Sequence, residues 1–374
     1  MEVGILTMHR VLNYGSFMQA YALKSVIESF GHHVTFRDFK NGEPRHKGKK
    51  VSPPGFLDKV AKIPQAIADL EGTLKKRAFR RKFNNYFKQT CWGLLEVPQE
   101  PNHGLVADAV VIGSDEVFNY TQNHAFGYVP CLFGHGINAP LILSYAPSAG
   151  YANAKDVVTD GMVEEIAAGL RRMKHVSVRD ENTRLLVERC TGESPTLVVD
   201  PTLIFDFDDV MPQERVVEGN YILVYAYEGR MDSVEEIRAV KDFAAQHKLK
   251  IVSAGSYHAW CDENIVVSPF ELLKVFKDAA FVVTDTFHGS IFSMKNAKQF
   301  ATFVRDDNPL GSNANKVRYL LDQFGMGSRI VNDLSLMDQI LTTPAPYDVF
   351  NERLLGLRKT SLDFLKLALA EGAA

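Results

Sequence analysis

The chain has 374 residues, 46% of them apolar and 10% aromatic, with a formal net charge of −3. Its length exceeds one ordinary domain and points to two or three. The composition is globular, which excludes a disordered chain, and the charge balance gives no global reason to expect nucleic acid.

The opening MEVGILTM is too short and too quickly polar for a signal peptide, and residues 2–8 read as a buried strand. From Gly15, apolar residues recur at three and four (Phe17, Ala20, Tyr21, Leu23, Ile27, Phe30), as on one face of a helix. Residues 33–38 read as the next strand, so the chain opens β-α-β with parallel strands. No G-x-G-x-x-G follows the first strand, and NAD is not indicated. Residues 40–55 are rich in Gly, Pro and Lys and read as a loop. The stretch 74–87 spaces Phe79, Phe83 and Phe87 four apart among six Lys and Arg residues. Such a helix either meets anionic lipid or buries its aromatic stripe and leaves a solvated basic back, and the second reading is favoured.

From Ala107 a strand-helix alternation sets in. Strands at 109–112, 141–145, 176–178 and 197–199 end at Ser114-Asp115, Pro147-Ser148, Arg179-Asp180 and Asp200-Pro201. Residues 206–219 are acidic, contain Pro and lack periodicity, as a linker would. The alternation then restarts, with strands at 221–227 and 249–254 and capping boxes at Ser233/Glu236 and Ser268/Glu271. The apolar run Phe281-Val282-Val283 leads into Thr284-Asp285-Thr286-Phe287-His288-Gly289, with a helix restarting at Ser290. A strand at 298–304 ends at Arg305, helices follow at 315–324 and 335–342, and a long helix closes the chain from about 348 to 370.

The expected fold is therefore α/β, with two Rossmann-like doubly wound domains facing a cleft in a GT-B-like manner. The first spans residues 1–205, a linker 206–219, the second 220–346 and a terminal helix 347–374. Four scattered cysteines (Cys91, Cys131, Cys190, Cys261) form no C-x-x-C pair. Reduced thiols in a cytoplasmic setting, with no metal site, are expected. No apolar run reaches the ~18 residues a spanning helix needs.

Six motifs in order resemble the polysaccharide pyruvyl transferases: GILTMHRVLNYGSFMQAYAL near the N-terminus, VIGSDEVFN at 111–119, SYAPSAG at 144–150, VSVRDENTRLL at 176–186, VVDPTL at 198–203 and TDTFHGSIFS at 284–293. The resemblance implies a GT-B-like fold and transfer of the enolpyruvyl carbons of phosphoenolpyruvate onto a sugar, usually as a pyruvate ketal. Phosphoenolpyruvate would be a co-substrate, with no further cofactor, and the partner a glycan or a lipid-linked sugar. The setting would be the cytoplasm or the inner face of its membrane.

Such a donor is small and polyanionic and needs fixed cations and helix N-termini. Arg179 would clamp its phosphate or carboxylate; the alternative is an ion pair with Asp180 or another carboxylate. His288 is the general acid for the enol methylene, and the N–H groups of Gly289 and Ser290 complete the pocket. Arg305 and Lys316 add cationic contacts. A helix N-terminus disfavours imidazolium, so donor binding is expected to recruit the His288 proton. Asp115 is either the base for the acceptor hydroxyl or a turn cap. Asn13, Gly15, Gln19, Ser114, Glu116 and Asp285 hold acceptor or loop, and Asp200 is assigned to loop fixing. His9, His32 and His33 have no partner at useful spacing.

Three positions depart from the family pattern. Where the family usually reads GSDQVWN, this chain has Glu116 and Phe118, and Lys316 stands where an arginine is usual. Lys cannot form the bidentate fork of Arg. A GT-B glycosyltransferase using a nucleotide sugar, with Tyr225, Tyr227 or Trp260 under the base, is the alternative enzyme. A non-catalytic glycan- or anion-binding relative is the third reading.

Overall fold

The computed structural model describes residues 1–45, 70–104, 106–122, 126–304 and 314–372. Two parallel sheets dominate. The first pairs β1 (Glu2–Leu6), β2 (His33–Arg37), β3 (Ala109–Asp115) and β4 (Leu141–Pro147) in the order β2-β1-β3-β4. It is extended by β5 (Ser177–Val178) and β6 (Thr196–Leu197), through a bridge from Leu143 to His175. The second contains β7 (Tyr221–Tyr225), β8 (Lys250–Ala254), β9 (Glu263–Ile265), β10 (Phe281–Thr284), β11 (Gln299–Phe303) and β12 (Ile330–Val331), ordered β12-β11-β10-β7-β8-β9.

Both orders reverse once. The first sheet has the flavodoxin-like reversal between β1 and β3, and the second has the Rossmann reversal between β7 and β10. Ligands of open α/β sheets sit outside the carboxyl ends of strands at such a reversal. The chain is thus an α/β protein of two Rossmann-like sheets.

Side-chain alternation explains why both sheets are covered on both faces. In β3, Ala109 and Val111 enter one core while Val110 and Ile112 enter another. In β7, Tyr221, Leu223 and Tyr225 join that same first core, while Ile222 and Val224 face a third. One apolar core is therefore shared by a face of each sheet. The helix Tyr14–Ser29 runs through it, with Phe17 and Tyr21 against Phe270 at 5.9 and 4.9 Å. The helix Tyr347–Ala370 returns from the second sheet to the first: Phe350 packs on Phe324, and the Ser361 hydroxyl accepts the Val199 N–H at 3.0 Å.

The reading of residues 206–219 as a plain linker misses their packing, because Phe207, Met211 and Val217 are buried in the shared core. The aromatic stripe resolves inward: Phe83 and Phe87 are buried against Tyr14 on the helix Leu70–Tyr86 and the π-helical turn after it. All four cysteines are unpaired, three of them buried. No helix among the described residues is long and apolar enough to cross a membrane.

Candidate active site

The two reversals meet through two helix N-termini. After β1, Asn13 caps the helix Tyr14–Ser29, accepting the Gly15 N–H at 2.7 Å. After β10, Thr286 caps the helix Phe287–Lys295 in the same way, accepting the Gly289 N–H at 2.9 Å. That helix begins at Phe287 rather than at Ser290, so His288 lies in its first turn. The imidazole packs on Gly15, where an added Cβ would overlap Nδ1 and lie 2.6 Å from Cγ. Only glycine leaves room for this approach.

Asp200 ties the two units together. One oxygen accepts the Thr202 N–H and hydroxyl at 3.0 and 2.7 Å, which is the expected loop fixing. The other accepts Arg179 Nη1 at 2.7 Å and lies 3.6 Å from His288 Nε2. Asp200 is 1% exposed, Arg179 3% and His288 7%. Burial alone would raise the Asp200 carboxyl, but the neighbouring His288, Arg179 and Thr202 outweigh it and hold the group well below the ordinary carboxylate range. Arg179 thus pairs with Asp200 rather than with Asp180, which caps the helix Glu181–Thr191 and accepts the Ser148 hydroxyl. Asp200, an anion of the protein itself, thus already stands beside His288.

Arg179 keeps one free donor. Its Nε has no hydrogen-bond partner among the described residues, and its guanidinium lies 4.2 Å over the Phe287 ring. Burial opposes the charge, yet Asp200, Asp115 and Asp180 raise the pKa above the ordinary value. An orphan buried donor of a permanently charged group is costly unless a ligand uses it.

Asp115 ends β3 with φ at 67°, the left-handed region that Asp tolerates better than most side chains. Its carboxylate accepts the Ser16 hydroxyl at 2.7 Å and the Glu116 N–H at 3.0 Å, so it touches the same helix N-terminus as His288. Glu116 accepts Lys316 Nζ at 2.5 Å and the Asn119 amide at 3.1 Å. Burial pushes the Glu116 carboxyl up and Lys316 brings it down to a net lowered value; Lys316, penalised by burial, is raised by Glu116. Two of the three departures from the family pattern, Glu116 and Lys316, are therefore partners of each other.

Other expected site residues serve the frame. The Ser290 N–H and hydroxyl both go to the Thr286 carbonyl, and the hydroxyl also meets Thr302 at 3.1 Å. The anion pocket drawn from the Gly289 and Ser290 N–H groups is corrected accordingly, because the cap Thr286 consumes both. The first-turn N–H groups of Phe287 and His288 are the ones a helix start leaves over. Gln19 is fully buried and binds the Thr7 hydroxyl and the Ser16 carbonyl, both at 2.9 Å. Ser114 donates to the Ala146 carbonyl at 3.1 Å and lies 3.3 Å from Asp200. Asp285 is buried with Arg230 at 3.5 Å, and Asn13 reaches the Tyr227 hydroxyl at 3.4 Å. Arg305 lies outside the described residues. Tyr225 and Trp260 are packed into apolar cores, while Tyr227 is 39% exposed.

Sequence spacing missed further partnerships. Lys295, at the far end of the helix that carries His288, donates to the Thr202 and Phe205 carbonyls at 2.8 and 2.5 Å. Burial pushes its pKa down to about 8. That helix is thereby fixed at both ends to the segment following Asp200. His9 and His33 have partners after all: His9 Nε2 lies 3.2 Å from Asp38, which Arg10 also grips through both carboxylate oxygens, and His33 Nδ1 lies 2.7 Å from Glu2.

Comparison with solved structures returns distant likenesses. A UDP-GlcNAc 2-epimerase of Methanocaldococcus jannaschii in complex with UDP-GlcNAc and UDP is 10% identical, over 96% of this chain and 100% of its own, at a TM-score of 0.48. Arabidopsis thaliana UGT89C1 complexed with UDP-L-rhamnose is 12% identical, over 100% and 99%, at 0.47. A variant O-GlcNAc transferase of Thermobaculum terrenum is 11% identical at 0.44, and this chain, covered over 99%, spans 66% of it. Likenesses of this order carry no inference about chemistry. Comparison with curated protein sequences gives no match. A family model, polysaccharide pyruvyl transferase, matches residues 13–307, most of the chain. The chain belongs to the polysaccharide pyruvyl transferase family, and it is a transferase.

Proposed function

We propose that the protein moves the enolpyruvyl group of phosphoenolpyruvate onto hydroxyls of a glycan or lipid-linked glycan precursor, closing a pyruvate ketal. The observation that carries this reading is the buried Arg179 guanidinium, with Nε unpartnered, beside two abutting helix N-termini. A small polyanion supplies the acceptors and negative charge that such a corner lacks.

In this reading His288 gives a proton to the methylene carbon of the donor, and an acceptor hydroxyl bonds to the carbon bearing phosphate. Asp115 takes the proton of that hydroxyl. Phosphate departs with the electrons of the broken C–O bond, and a second hydroxyl bonds to the same carbon and gives up its proton to solvent. Arg179, with Lys316 nearby, stabilises the leaving charge. Asp200 acts as a positioning residue that keeps Arg179 and His288 in register. Tyr227 offers the acceptor sugar an exposed ring.

The test is phosphate release from phosphoenolpyruvate with candidate sugar acceptors. Release should require both substrates, and His288→Ala should slow it by about 10²- to 10⁴-fold. Saturable binding of a nucleotide sugar, with no phosphate release for any acceptor, would overturn the proposal.

A further inference from the structure

The helix Leu70–Tyr86 has two faces of different character. Inward, Phe83 is 5.4 Å from Tyr14 and Phe79 is 5.9 Å from Tyr257. On the same side Lys76 reaches Glu228 at 2.8 Å, and Arg80 reaches the same carboxylate. Lys75 pairs with Glu71 one turn earlier. Four cations remain: Arg77, Arg81, Lys82 and Lys88 are exposed and have no carboxylate partner among the described residues.

These cations extend along the helix from an exposed apolar group. Leu74, Arg77 and Arg81 are spaced by three and four and share one face, with Lys82 at its flank. Lys88 follows where the helix passes into the π-helical turn. Leu74 is 54% exposed at the N-terminal end of this face, one turn before Arg77. The patch is strongly positive on a chain whose net charge is −3.

We infer that this face docks on an anionic phospholipid bilayer. A bilayer satisfies both halves of the surface, with headgroup phosphates meeting the four cations and the acyl boundary receiving Leu74. A nucleic acid would answer the charges and leave the leucine in water. Each cation near an anionic leaflet contributes roughly a fivefold gain in partitioning, so four give a reversible, salt-sensitive attachment. The inward face of the same helix places Phe83 on the wall of a cavity of about 70 Å³, shared with Asn13, Tyr14, Tyr227 and Thr286. Docking therefore holds this cavity about one helix diameter, roughly 10 Å, from the lipid surface, which favours a lipid-linked acceptor over a free glycan. This last step rests on the proposed function; the docking itself does not.

The experiment is co-sedimentation of the full chain, without substrate, on vesicles of phosphatidylcholine alone or mixed with phosphatidylglycerol, at physiological ionic strength. Binding is expected to the mixed vesicles only. The triple variant Arg77→Glu, Arg81→Glu, Lys82→Glu should lose about a hundredfold or more in partitioning, and Leu74→Ser severalfold. A control triple, Lys155→Glu, Arg238→Glu, Lys241→Glu, should bind as the parent does. Thermal unfolding checks that all variants fold, and phosphate release with a soluble acceptor should be unchanged in the first triple. Equal or absent binding to the two vesicle types, or equal loss in the control, overturns the inference. So does binding to heparin as tight as to vesicles, with Leu74→Ser without effect. Vesicle binding without phosphate release would refute only the proposed chemistry, and the converse only the docking.

Discussion

The His288 imidazole rests on the backbone of Gly15, although the two residues belong to different sheets and lie 273 positions apart (288 − 15). A methyl group at position 15 would occupy the space of the ring. Gly15→Ala favours the helix itself by ~1 kcal/mol, so the fold should survive while His288 is pushed aside. Displacements of this size cost about 10²-fold in rate. Phosphate release should therefore fall by roughly that factor, with the thermal midpoint changed by only a few degrees. A fully active Gly15→Ala variant would show that the ring need not stay where it is.

Asp200 makes stability dependent on acid. Its folded-state pKa is lowered, as is that of Asp38, where burial is outweighed by His9, Arg10 and the Asn102 N–H. Groups lowered in this way bind fewer protons folded than unfolded. Their stabilisation is complete above about pH 4 and is lost as pH falls through the lowered values. Urea midpoints measured towards acid should drop steeply for the parent and less steeply for Asp200→Asn. At neutral pH the same variant strands the buried Arg179 charge and should cost about 3–5 kcal/mol.

On the proposed function, Glu116 competes with the donor. It neutralises Lys316, the cation proposed to assist Arg179. Glu116→Gln releases that charge and should tighten phosphoenolpyruvate binding by roughly tenfold, the equivalent of ~1.4 kcal/mol. Calorimetric titration reads this directly. Weaker donor binding in Glu116→Gln would mean that the carboxylate supports the site rather than masking it.

Much of this architecture was legible in the sequence, because the signals are local. Continuous apolar runs marked the long strands, and the Ser233 and Ser268 capping boxes appear where their spacing predicts. The short edge strands β9 and β12 escaped notice, since two or three residues show no period. At the site, His288 and Arg179 stood out as polar groups at strand ends. Their connection through Asp200 did not, because Asp-Pro before a short helix reads completely as a cap, and it does cap. A second duty on the other carboxylate oxygen leaves no mark on spacing. The Glu116–Lys316 pair is hidden for the same reason: 200 residues separate two charges that only the tertiary fold brings together.

The helix Tyr14–Ser29 belongs to both sheets at once. Its first residue donates the Tyr14 hydroxyl to the Val267 carbonyl at 2.7 Å, and its body shares aromatic contacts with Phe205 and Phe270. Neither half can melt without exposing apolar surface that the other half also covers. Although the chain carries two sheets, calorimetry should accordingly record one cooperative heat-absorption peak, with calorimetric and van't Hoff enthalpies in agreement. Substituting Tyr14 by Ala should split that peak in two.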